Sequence, residues 1–236
     1  ELSLNKIRNL SLIHSPPVSR KPIISSVGSY SLSFVKGIIL SEISRGGQVY
    51  FVDNSVERLS ICAASLRALL PSLNIVEIYS SLSPNKLVGV MRSFVSGGIN
   101  VLMSTTIIES GIDVGHANTI IINNAHLFGL SQLHQIRGRV GRHHRQAFAH
   151  LMIPRSLRLN RNYSRRLKAI EENVALGSGY VLSSKDLEIR GAGSVFGYAQ
   201  SGGALVGFDF YNKLIQRTVS KNSIGLCLDQ VSVNLF

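Results

Sequence analysis

The chain has 236 residues, 44% of them hydrophobic and 16% charged, enough apolar material for one large domain or a domain with an appendage, and too little charge for a disordered polymer. Lysines and arginines number 25 against 13 acidic residues, and the formal charge of +12 points to a polyanionic partner. The distribution sharpens this, because no Asp or Glu occurs between Val114 and Ile170 while arginines run from Arg137 through Arg166.

The opening "ELSLNKIRNLSLIHSPP" lacks the charged and apolar regions of a signal peptide and begins without Met, as a fragment would. Beyond Pro16-Pro17, apolar and polar segments alternate. Phe34, Val35, Ile38, Ile39 and Ile43 have helical spacing, ended by Gly46-Gly47. "QVYFVD" (48–53) predicts a short buried strand, and a helical stretch follows from about Ser55 to Leu70. "IVEIY" (75–79) predicts the next strand. Ser83-Pro84 then opens a helix whose inward face is Leu87, Val90, Met91 and Phe94. "NVLMS" (100–104), "TIIIN" (119–123) and "AFAHLMI" (147–153) predict further strands. Their apolar runs lack period-two alternation, which suits the central strands of a parallel sheet covered on both faces. The expected fold is therefore a doubly wound α/β layer from about Val27 to Pro154.

From Arg155 the texture changes. Helical stretches near Tyr163–Leu176 and Phe208–Val219 flank "GSGYVLSSKDLEIRGAGSVFGYAQSGG", whose interleaved charged and apolar residues indicate a structured loop with tight turns. Residues 155–220 thus read as a helical hairpin with a loop, and 221–236 as a tail without assignment. Cys62 and Cys227 stand far apart with no CxxC, which excludes a disulfide framework and suits a reducing compartment. No apolar run reaches the roughly 18 residues of a membrane helix.

Several chemistries are excluded before one is favoured. "GAGSVFG" (191–197) lacks GxGxxG spacing and a preceding strand, so it is no dinucleotide loop. No GxxxxGK[ST] occurs, so any nucleotide-triphosphate chemistry uses this chain as the other half of a site. His134, His143, His144 and His150 match no zinc spacing and sit among arginines that repel a dication; solvated or phosphate-facing histidines are expected. "STTIIESGIDVG" (104–115) follows a predicted strand, where ligands bind at the carboxyl edge of an open α/β sheet. Ser104, Thr105 and Thr106 could donate to phosphates there, and Asp113 beside Gly111 could hold a ribose hydroxyl or an arginine, a plain turn with an Asx-type cap being the alternative. "HQIRGRVGRHHRQ" (134–146) holds Arg137, Arg139, Arg142 and Arg145. Arg139 and Arg142, three apart, could share one helical face and aim two guanidiniums at one anion, which suits phosphoryl transfer.

"STTIIESGIDVGHANTIII" followed by "FGLSQLHQIRGRVGR" resembles motifs five and six of superfamily 2 helicases. More closely, it resembles the translocase module of the transcription-repair-coupling factors, ATP-driven motors that remove stalled RNA polymerase. The similarity runs from about Ile7 to about Val219, and "RRLKAIEENVALGSGYVLSSKDLEIRGAGSVFGYAQSG" looks like that family's translocation motif. The resemblance implies a RecA-like parallel sheet with helices on both faces at 27–154, the second motor lobe. It implies the end of the first lobe and a linker at 1–26, and the translocation motif at 155–220. Gln135, Arg139 and Arg142 match the motif-six positions facing ATP, with Arg142 as the arginine finger. Thr105 and Thr106 match DNA-backbone contacts, and Glu109, Gly111 and Asp113 the motif-five segment between the DNA and nucleotide sites. Arg166, Arg190 and Gln200 match coupling residues, an ion pair with Glu188 being the plainer role for Arg190. Arg145 and the basic run after it are left for DNA or solvent.

The resemblance further implies ATP and Mg²⁺ held mainly by a first lobe outside this chain, and double-stranded DNA as substrate. RNA polymerase and nucleotide-excision-repair proteins would bind through regions elsewhere. A bacterial cytoplasm is expected, or a plastid, with no membrane partner and no metal site in the chain. Competing expectations are a branch-migrating replication-fork helicase lobe and a DNA-binding remnant without motor activity. The sequence departs from the family in having Tyr79-Ser80-Ser81 for His-Gly, Asp113-Val114-Gly115 for Asp-Ile-Pro, and "NNAH" (123–126) for an acidic "ERAD"-like segment. Asn9 likewise replaces an acid, so fewer carboxylates are expected to support pairing around the site.

Overall fold

Apolar runs and helix faces alternate along the chain as their spacing predicts. The computed structural model describes residues 21–79, 81–105, 117–141, 145–157 and 161–172, with positions 179, 182, 185 and 186. These form β1 (Ile24–Ser29), α1 (Leu32–Ser44), β2 (Gln48–Val52), α2 (Val56–Leu69), β3 (Ile75–Ile78), α3 (Pro84–Val95), β4 (Val101–Ser104), β5 (Ala117–Ile122), a 3₁₀ turn (Ala125–Leu127), α4 (Leu130–Arg137), β6 (Phe148–Ile153) and α5 (Arg161–Glu172). The strands make one sheet in the order β1-β6-β5-β2-β4-β3, and each neighbouring pair is parallel.

β2, β4 and β5 are buried at every position, which explains their unbroken apolar sequences. On one face Val49, Phe51, Val101, Met103, Ile121 and Met152 pack with Val35 and Ile39 of α1 and with Leu59, Ala63 and Leu66 of α2. Helix starts follow local chemistry. Ser31 and Ser55 accept hydrogen bonds from the backbone N–H of Phe34 (3.2 Å) and Arg58 (3.4 Å), and Pro84 begins α3.

Three features depart from the sequence-based expectation. β1 was not predicted, because "ISSVGS" has little β-forming character; its backbone pairing with β6 supplies the order that its side chains do not. As an edge strand it needs one neighbour only, and the N–H of Val27 donates to Glu171 Oε1 of α5 at 3.2 Å, covering part of that edge. Phe34, one of the apolar residues at helical spacing, is 48% exposed, while the acidic Glu42 of α1 is buried and accepts from Thr119 Oγ1 (2.6 Å) and Arg45 Nη1 (3.2 Å).

A boundary after Pro154 does not coincide with a break in packing. α5 lies against β1, α4 and the 3₁₀ turn, and Leu167, Ala169 and Ile170 are buried. The compact unit that contains the described residues runs on to Asp186. The helix expected at Tyr163–Leu176 is observed as Arg161–Glu172; residues 173–176 and the Phe208–Val219 stretch lie outside the described residues. No helix among the described residues is long and apolar enough to cross a membrane.

Candidate functional site

The carboxyl ends of parallel strands open onto the crevice where α/β sheets bind ligands. At this edge Asp53 follows β2, Ser104 ends β4 with Thr105 next after it, and Asn123 and Asn124 follow β5. Asp53 is fully buried, and donors surround it. Its Oδ1 accepts from the Ser55 N–H (2.9 Å) and from Arg58 Nη2 (3.0 Å) and Nε (3.3 Å). Its Oδ2 accepts from the side-chain amides of Asn123 (2.8 Å) and Asn124 (3.1 Å).

Asn123 and Asn124 open the segment that is "ERAD"-like in the resembled family, Asn123 in the place of its Glu and Asn124 in that of its Arg. A carboxylate at 123 would repel Asp53, whereas the two amides donate to it. Asp53 was read only as the end of a strand; its position at a carboxyl edge, beside Asn54-Ser55, was the available signal.

A cavity of about 220 Å³ beside this network is lined by Tyr30, Cys62 and Arg58 among others. Its walls are mostly apolar, and Arg58 is already tied to Asp53 and to Asn54 Oδ1. Burial pushes the Cys62 thiol up, and burial raises the Tyr30 hydroxyl well above its ordinary range.

Ser104, expected to donate to phosphate, is fully buried, and its Oγ is 2.6 Å from the Tyr50 hydroxyl, a contact between neighbouring strands. Thr105 is also buried (3% exposed), and its Oγ1 has no hydrogen-bond partner among the described residues. Thr106, Glu109, Gly111 and Asp113 lie outside the described residues.

The arginine-rich stretch divides into distinct roles. α4, which was not predicted as a helix, ends at Arg137, and Gly138 caps it. Arg139 follows in a turn; Arg142, His143 and His144 lie outside the described residues, so the expected pairing of Arg139 with Arg142 does too. Arg137 is 4% exposed and donates to Ile170 O at 2.9 Å. Burial lowers its pKa. Arg145, expected to face DNA or solvent, donates through Nη1 to Arg45 O (3.0 Å) and Gly46 O (3.2 Å), closing the carbonyl end of α1. By contrast, the half-buried Arg139 and the exposed Gln135 make no side-chain hydrogen bond or ion pair among the described residues. Two guanidiniums are therefore tied to backbone carbonyls, while Arg139 keeps its five donors.

Gly141 makes this turn possible. Its φ is +74°, and an added Cβ would fall 2.8 Å from the Cβ of Ala147 and 3.3 Å from Ile23 Cγ1. Gly141→Ala combines a left-handed backbone with overpacking, and an expected loss of about 2–4 kcal/mol should appear as a lower urea midpoint.

Of the histidines expected to be solvated or phosphate-facing, His134 and His150 are half-buried, and His143 and His144 lie outside the described residues. His134 Nδ1 accepts from Arg137 Nη2 at 3.1 Å, and His150 Nδ1 lies 2.8 Å from Ser26 Oγ. His126 of the 3₁₀ turn is buried, packs edge-on against Tyr163, and has no partner for its Nδ1 among the described residues. Burial lowers the pKa of both His126 and His150, and the positive charges of Arg58 and Arg166 lower His126 further. Below the ordinary value of 6.5 the unfolded chain therefore takes up more protons than the folded one. Stability is complete above that value and declines as pH falls toward the folded-state pKa values. Urea unfolding should show a lower midpoint at about pH 5.5 than at about pH 7.5, with the difference reduced in His126→Asn.

Arg166, expected as a coupling residue, lies on α5; it donates to Phe128 O at 3.1 Å and sits over the Tyr163 ring at 4.9 Å. Arg190 and Gln200 lie outside the described residues.

Residues 31–144 match the helicase conserved C-terminal domain. The transcription-repair-coupling factor of Myxococcus xanthus is 42% identical over 221 residues, covering 93% of this chain and 18% of that relative. That of Haemophilus influenzae is 44% identical over 219 residues, covering 92% of this chain and 19% of the relative. The chain thus spans under a fifth of the length of these two curated relatives. Among solved structures, RecG bound to a three-way DNA junction superposes with a TM-score of 0.67 at 28% identity, over 87% of this chain and 26% of that one. The helicase MrfA bound to DNA, at 14% identity and a TM-score of 0.51, covers 70% of this chain and 25% of its own, a likeness of fold alone.

Proposed function

Because this chain belongs to the transcription-repair-coupling factor family, as a segment carrying the helicase C-terminal domain, we propose that it is the second lobe of an ATP-driven motor on double-stranded DNA. In this reading Arg139 and Arg142 reach across an interlobe cleft to the phosphates of ATP, with Arg142 as the finger and Gln135 beside them. Phosphate-loop and Mg²⁺ chemistry belong to the first lobe. When bound, the nucleotide supplies the energy of phosphoryl transfer; this chain's residues orient it and stabilise its charge. Thr105 and Thr106 contact the DNA backbone, and Glu109, Gly111 and Asp113 link that contact to the nucleotide. Arg166, Arg190 and Gln200 couple turnover to movement. Displacement of stalled RNA polymerase and recruitment of repair proteins are carried by parts of the protein beyond this segment.

The observation that supports this reading best is the contrast within one short stretch. Arg137 and Arg145 are fastened to carbonyls, while Arg139 between them has no protein partner among the described residues. A cationic group held beside fixed neighbours and left without an internal anion suits an external phosphate.

The test joins this chain to a first lobe bearing a phosphate loop and measures ATP hydrolysis with and without duplex DNA. The chain alone should hydrolyse essentially no ATP, and the joined protein should be DNA-stimulated. Substantial hydrolysis by the chain alone would overturn the reading. Duplex binding should weaken with salt, by a slope in log K against log salt of about −0.9 for each phosphate neutralised; a flat response would assign the arginines to nucleotide or protein alone. A replication-fork helicase, the reading closest in fold to the RecG structure, would instead need a branched junction for stimulation.

A further inference from the structure

Side chains alternate between the two faces of β6, so Phe148, His150 and Met152 share one of them. Met152 packs into the core with Val35 and Ile39 of α1. Phe148 and His150 stay outside that cluster, half-buried, in a groove of about 590 Å³ that follows α1 from Phe34 to Arg45. The groove lies on a face of the sheet, apart from the carboxyl edge that carries Asp53 and Thr105.

Three rings and a guanidinium meet there. The exposed Phe34 lies over Gly28 of β1, where a Cβ would stand 3.9 Å from its Cε1. The Phe148 and His150 rings are parallel within 10°, their centroids 6.3 Å apart. Arg45 sits over the Phe148 ring at 4.9 Å and is held by Glu42 Oε2 (3.2 Å) and Gln146 O (2.8 Å). Burial lowers the pKa of His150, which keeps its ring neutral at neutral pH.

A single exposed phenyl ring carries no meaning on a protein surface. Three rings beside a guanidinium do, because unpaired nucleobases stack on the flat faces of these groups, whatever their sequence. Charge points the same way. Arg145 donates through Nη1 to Arg45 O and Gly46 O, so two guanidiniums stand together at one end of the groove. Carbonyls do not cancel a charge, and Glu42, the one acid lining the groove, is buried and already tied to Thr119 and Arg45. That end keeps an excess positive charge, which suits a phosphate backbone and which an apolar helix would not use.

We propose that this groove binds single-stranded nucleic acid, with bases stacked on Phe34, Phe148 and His150 and phosphates directed to Arg45 and Arg145. The inference does not depend on the motor reading. Its residues lie outside those proposed to hold ATP, contact the duplex or couple the two, and it takes unpaired bases, which a duplex keeps within its own stack.

The test measures binding of a fluorescent oligothymidine, about ten nucleotides long, to the full chain, beside a duplex of the same length. Phe34→Leu and Phe148→Leu keep apolar bulk and remove a flat face. Each is expected to weaken oligothymidine binding by about five- to tenfold and to leave duplex binding within about twofold. Iodouracil placed in the oligomer should photocrosslink to peptides containing Phe34, Phe148 or His150. Unchanged oligothymidine binding in both leucine variants would overturn the proposal, as would a parallel loss of single-strand and duplex binding. Crosslinks confined to other peptides would overturn it too. Thymidine monophosphate competing as well as the oligomer, base for base, would assign the groove to free nucleotides and overturn the single-strand assignment. Should Phe148→Leu lower the unfolding midpoint, Phe34→Leu, at an exposed side chain, and the crosslinks decide the matter.

Discussion

Arg142→Ala in the intact motor is expected to reduce ATP turnover on the order of 10³-fold or more, with duplex binding nearly unchanged. An arginine acting in trans on a transferring phosphoryl group matters chiefly in the transition state, where charge spreads over the equatorial oxygens. Its removal should therefore lower the maximal rate much more than it raises the ATP concentration needed for half of it. Arg142→Lys should rescue little, because an ammonium lacks the planar fork. The flanking structure makes this a sharp experiment. Gly141 holds the preceding turn in a conformation that crowds out larger residues, and Arg145 fastens the following segment to the end of α1. A variant that kept turnover within about tenfold of wild type would move the finger role to Arg139.

The second large effect concerns stability. Asp53→Ala is expected to cost about 3 kcal/mol, lowering the melting temperature by about 6–12 °C. Asp53 is fully buried and accepts from the Ser55 N–H, Arg58, Asn123 and Asn124, so its removal leaves the Asn123 amide and a backbone N–H without their acceptor. Arg58, whose side chain is 44% exposed, can turn to solvent, which keeps the cost below that of a fully buried ion pair. Asp53→Asn should also destabilise, since its amide would place a donor against donors from Asn123, Asn124 or Arg58. Asn123→Asp should be worse than Asn123→Ala, because it sets a second carboxylate beside the first. Loss of less than about 1 kcal/mol in Asp53→Ala would show the network to be incidental.

Most of the sheet was legible in the sequence. Val49–Val52 and Ile120–Ile122 are continuous apolar runs because both of their faces are covered. β1 was illegible for the opposite reason: an edge strand of Ser and Gly is ordered by its neighbour's backbone, which no side-chain pattern records. α4 did carry a signal in Leu130, Leu133 and Ile136, all buried, which the adjacent arginines outweighed.

The candidate site was legible in its chemistry and much less so in its assignments. Local sequence determined that strand would alternate with helix, that hydroxyls would end β4, and that a run of arginines would follow α4, because periodicity and residue type act over a few neighbouring positions. Tertiary structure decided what each of those groups does. Arg137 and Arg145 have the same guanidinium as Arg139, yet Arg137 meets Ile170 O and Arg145 meets Arg45 O and Gly46 O, carbonyls far away along the chain. Ser104 meets the Tyr50 hydroxyl, and Asn123 and Asn124 donate to Asp53, again across long separations. A donor's role depends on which acceptor the fold brings within about 3 Å of it, and that distance is set by how the strands and helices pack.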